Sequence, residues 1–142
     1  MNPPFAVDKA VSTRWVSKLL DCASVAVLEA RAAEASIEVG DVRGRAWHGE
    51  GGLCIGLHLD LAEIDERWLT ETTLWLAAMP AACDDALSCV DGQWVLWRRY
   101  DHALPAAQLD ERLGTQIALR AHLRDSAQPP GTTKGSDIGR LI

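Results

Sequence analysis

Leu87-Ser88-Cys89-Val90-Asp91-Gly92-Gln93-Trp94-Val95-Leu96-Trp97-Arg98-Arg99-Tyr100 is the stretch that decides the fold. Two strand-like runs flank Asp91-Gly92, a dipeptide that accepts positive φ at both positions and so forms the type I′ turn that matches strand twist. The stretch reads as an antiparallel hairpin. On its second arm Val95, Trp97 and Arg99 project to one face, and Trp94, Leu96, Arg98 and Tyr100 to the other. Both faces carry tryptophan, so at most one can cover the interior. The other needs a helix, a second subunit or a bound chain to shield it.

Downstream, Pro105 suits the first turn of a helix running toward Leu123, where a missing N–H costs nothing. Leu109, Leu113 and Ile117 recur every fourth residue, with Leu119 and Leu123 on a neighbouring stripe. Gly114 marks either a close crossing or a weak point. Upstream, Asp60 or Asp65 starts a helix that reaches Ala78 and stops at Pro80, with Leu61, Ile64, Trp68, Trp75, Leu76 and Met79 as contact positions. Thr72-Thr73 makes a break in its middle plausible.

Leu53-Cys54-Ile55-Gly56-Leu57-His58-Leu59 is the clearest central strand, with Leu53, Ile55, Leu57 and Leu59 on one side. Gly56, on the other side, admits a close backbone or an aromatic ring, with a packing helix as the ordinary occupant of that face. Ser36–Val42 and Arg45–His48 read as two earlier strands joined by a turn at Arg43-Gly44. Ser12 or Thr13 caps a first helix carrying Trp15, Val16, Leu19, Leu20, Ala23, Val27 and Leu28, which the alanine-rich stretch 29–35 extends.

These elements predict one α+β domain over residues 12–124, an antiparallel sheet packed with helices in the order α-β-β-β-α-β-β-α. Residues 1–11 and 125–142 are expected to be a flexible N-terminus and a disordered C-terminal tail. The 142 residues, 48% hydrophobic, suffice for one core. The formal charge of −6 disfavours a phosphate-backbone surface, so no nucleic-acid partner is expected. No apolar run is long enough to cross a bilayer, and no signal-like segment opens the chain, so a cytoplasmic protein without membrane insertion is expected.

Cys22, Cys54, Cys83 and Cys89 lack paired CxxC spacing and read as reduced thiols. His48, Cys54 and His58, with His102, form the one cluster open to a metal test. Its irregular spacing gives no four-ligand set, and neither metal nor other cofactor is expected. Asp84-Asp85 or Cys89 near His102 are the available catalytic combinations. With no nucleophile elbow, phosphate-cradling loop or HExxH helix, no enzymatic activity is expected.

The Leu53–Leu59 strand, the Leu87–Trp97 hairpin and Leu109-Asp110-Glu111-Arg112-Leu113, in this order of elements, resemble the class I type III secretion chaperones of Gram-negative bacteria. The resemblance covers residues 13–123. It implies a homodimer, or occasionally a heterodimer, that keeps an N-terminal segment of a secreted effector or apparatus protein extended before export. It further implies client grooves lined by Trp15, Leu19, Val39, Leu53 and Ile55, and a dimer contact through Trp68, Trp75 and Trp94 or Trp97. The six tryptophans, the Thr-Thr pair and the long tail depart from the family pattern. An immunity or adaptor protein binding a folded toxin or secretion component is the alternative, and a small hydrolase a more distant one.

Overall fold

The computed structural model describes residues 13–82 and 84–127. Over these residues the chain is α+β: three α-helices and a six-stranded antiparallel sheet. The elements are α1 (Thr13–Leu20), β1 (Val25–Arg31), β2 (Glu34–Val39), β3 (Val42–Gly49), β4 (Gly52–His58), α2 (Glu66–Ala78), β5 (Asp85–Val90), β6 (Gln93–Tyr100) and α3 (Ala106–Ser126). The strands lie in the order β1-β2-β3-β4-β6-β5. The ends expected to be flexible fall outside the described residues, except that α3 continues through Ser126.

One strand more is present than the sequence pattern predicts. The stretch 25–31 pairs with β2 instead of prolonging α1. Alanine favours a helix only weakly, and burial of Val27, Ala30 and Ala35 beneath α1 outweighs that preference. The β2–β3 turn falls at Gly40-Asp41, where Gly40 takes φ +63, and not at Arg43-Gly44. Gly44 sits within β3 because a Cβ there would lie 2.5 Å from the Gly56 carbonyl oxygen. α2 is unbroken, the Thr73 hydroxyl donating to the Leu69 carbonyl at 2.8 Å. Asp65 caps it by accepting from the Arg67 amide. Asp91 and Gly92 both take positive φ, as the type I′ turn requires.

Strand alternation separates two faces, and all three helices pack on one of them. Trp15, Val16 and Leu19 of α1 and Leu109 and Leu113 of α3 share one core cluster with Ile37, Val39, Ala46, Leu53, Ile55, Leu57 and Tyr100. Trp68 of α2 joins Leu59, Leu96 and Leu123 in a second. Gln116 pins α3 to the sheet centre: its amide donates to the Ile55 and Leu96 carbonyls at 2.9 and 3.1 Å and accepts from the Tyr100 hydroxyl at 2.6 Å. This buried bridge fixes α3 over β4 and β6, since each of its groups would lose a partner if the helix slid.

Candidate functional site

The face opposite the helices is built from alternate residues of the same strands. Arg45 and Trp47 come from β3, Cys54, Gly56 and His58 from β4, Val95, Trp97 and Arg99 from β6, and Ala86 and Ser88 from β5. No helix of the described residues covers it. A trough of about 810 Å³ runs over this face, lined among others by Arg45, Trp47, Cys54, Asp91, Trp97 and Arg99. Its size and mixed lining suit a bound side-chain cluster or a length of extended chain.

Gly56 seats Trp97, one of the residues lining the trough. A Cβ there would meet Val95 Cγ1 at 2.5 Å and the Trp97 ring at 2.9 Å, so the Trp97 indole rests on bare backbone. The indole is fixed further by donating from Nε1 to the Ser88 hydroxyl at 2.8 Å. The aromatic occupant that Gly56 permits is therefore Trp97, and the packing helix expected on that face is absent among the described residues. Trp47 remains 47% exposed along the trough wall.

The hairpin tip reaches back over the trough, placing Asp91 3.6 Å from Arg45, while Arg99 pairs with Asp84 at 3.0 Å. Both pairs are solvent-exposed and contribute little to stability, so their arginines can exchange carboxylate partners at small cost. Burial pushes the Cys54 thiol up, with Arg99 opposing and Asp84 reinforcing the shift. A neutral thiol in that place is a packing surface and a poor nucleophile.

Among the described residues, His58 Nε2 is the one buried side-chain nitrogen or oxygen without a hydrogen-bond partner. Burial first, then Arg45, pushes its imidazole below the ordinary value of 6.5 despite the opposing Asp60, with Arg120 and Arg43 adding to the shift. The unfolded chain then takes up a proton before the folded one does. Stability is fully present above the ordinary imidazole range and is lost as pH falls toward the lowered folded-state value. His48 is shifted the same way by burial, His102 and Lys18. Urea-unfolding free energy is expected to fall between about pH 7.5 and pH 5, and His58→Gln to flatten that slope. An identical slope in the variant would remove His58 from this account.

The five residues expected to line client grooves, Trp15, Leu19, Val39, Leu53 and Ile55, all lie within the helix-side core. They meet one another across α1 and the sheet, so in this conformation none offers surface to a client. The four tryptophans expected at a dimer contact separate. Trp68 is enclosed and donates to the Ser126 hydroxyl at 3.0 Å, and Trp94 packs on the same α2–α3 cluster. Trp97 lies in the trough. Trp75, with neighbouring Leu74, stays exposed on α2.

The metal-test cluster divides between faces. His48 stacks on Trp15 and meets the His102 ring edge-on at 4.8 Å on the helix side, while Cys54 and His58 lie on the trough side. Among the described residues no three His, Cys, Asp or Glu side chains form a metal-holding group. The residues of the catalytic combinations have other partners. Asp85 is bound to Arg98 and Asp84 to Arg99, whereas the His102 ring packs on His48.

Sequence inspection missed Arg45 and Trp47. The signal was present, since Arg43, Arg45 and Trp47 alternate along one strand and fall on the face that the helices leave bare. Comparison with protein-family models and with curated proteins gives no match to this chain.

Proposed function

We propose that this chain is a non-enzymatic binding protein that works as a class I type III secretion chaperone does. In the cytoplasm it holds an extended N-terminal segment of a secreted effector or apparatus protein in a secretion-competent state. The observation that carries the proposal is the trough, an uncovered sheet face with Trp47 and Trp97 beside charged residues whose ion pairs are exchangeable. An extended segment lying there presents apolar side chains to the two indoles and polar groups to Arg45 and Arg99. Its ordering is offset by the length of the contact, with no chemical step and no nucleotide. Leu74 and Trp75 on α2 then serve a second copy of the chain in a homodimer.

Co-expression with a candidate secreted protein is expected to give a complex of two copies of this chain with one client, in which limited proteolysis leaves an N-terminal client segment intact. Protection of a compact folded partner instead would replace the chaperone role with that of an adaptor or immunity protein. Absence of any complex across candidate clients would remove the proposal.

A further inference from the structure

Beside the trough, at the junction of β6, the start of β5 and α3, lies a recess of about 280 Å³ lined by Asp84, Arg98, Arg99, Tyr100, Arg112 and Thr115. Three arginines line it in a chain whose formal charge is −6. Two already hold carboxylates. Arg98 grips Asp85 through Nε and Nη2 at 2.5 and 2.7 Å and donates from Nη1 to the Thr115 hydroxyl at 3.0 Å. Arg99 donates to Asp84 at 3.0 Å.

Arg112 has no carboxylate partner among the described residues. Three cations facing two anions leave one positive charge in excess. A guanidinium fork matches the two oxygens of a carboxylate or phosphate better than any other common partner.

We infer that this recess is an oxyanion site, in which Arg112 takes a carboxylate or phosphate group and Arg99 supplies the second positive charge. Arg98, fixed by Asp85 and Thr115, forms the rigid back wall. The inference stands apart from the chaperone proposal, although a chain leaving the trough past Arg99 would arrive at this place. The anion is either an acidic side chain of a bound protein or a free inorganic oxyanion.

The test titrates sodium acetate and, separately, inorganic phosphate into the ¹⁵N-labelled full chain at constant ionic strength, following the Thr115 amide and Arg98 Nε–H resonances. Saturable shifts are expected, with Arg112→Gln weakening binding by about tenfold or more. Arg124→Gln, which removes an equal charge from the last turn of α3, should leave binding unaltered. Saturation by acetate assigns the site to a protein carboxylate, and saturation by phosphate alone to an inorganic ion. Non-saturable shifts, or equal affinity in Arg112→Gln, would overturn the inference whether or not a client is ever found.

Discussion

Replacing Asp85 by alanine is expected to destabilise the protein by about 3–5 kcal/mol, toward the lower end because the Arg98 guanidinium keeps some contact with water. The Asp85 side chain is fully enclosed, and Arg98 is 16% exposed. The pair is bidentate, and the hydrogen bonds from Arg98 to Asp85 are the main reason its guanidinium is held above its usual value. Removing the carboxylate strands a cation between β5, β6 and α3, which costs far more than the intact pair is worth. Chemical denaturation of Asp85→Ala against the parent measures the loss. The double change Asp85→Leu with Arg98→Met should recover most of it, since a packed apolar pair of similar volume leaves no charge behind. A single-variant loss under about 1 kcal/mol would mean that water reaches Arg98 freely.

Trp47→Ala is expected to weaken client binding by about 30-fold or more, the scale of a tryptophan hot spot of roughly 2 kcal/mol. Its ring lies along its own strand over Gly49, and nearly half of it is open to solvent, so folding should change by no more than about 0.5 kcal/mol. That separation makes Trp47 a better probe than Trp97, whose indole packs on Gly56 and bonds Ser88. Calorimetric titration with the captured client segment supplies the affinities. Equal binding by parent and variant would place the client elsewhere on the molecule, even with the chaperone role intact.

Where local chemistry sufficed, the chain was readable in advance. The Asp91-Gly92 turn, the face assignments of β6, the alternation of β4 and the Pro105 helix start each depend on residues within a few positions of one another. β1 was hidden because its helical propensity and its burial beneath α1 point in opposite directions, and only the tertiary contact decides between them. The same blindness affected the site. Apolar periodicity marks Trp15, Leu19, Val39, Leu53 and Ile55 as in need of cover, but cannot say whether a helix of the same chain or a foreign segment provides it. The trough is concave because the hairpin tip brings Asp91 near Arg45, a relation between residues far apart in the chain that no window of sequence contains.

Gly56 marks where Val95 and Trp97 of the neighbouring strand leave no volume for even a methyl group. Diversification by point mutation cannot build upward from that spot. Lineages descending from such a scaffold would acquire new binding preferences around the margin, at positions such as Arg45, Trp47 and Arg99, while the bare backbone beneath stays unaltered.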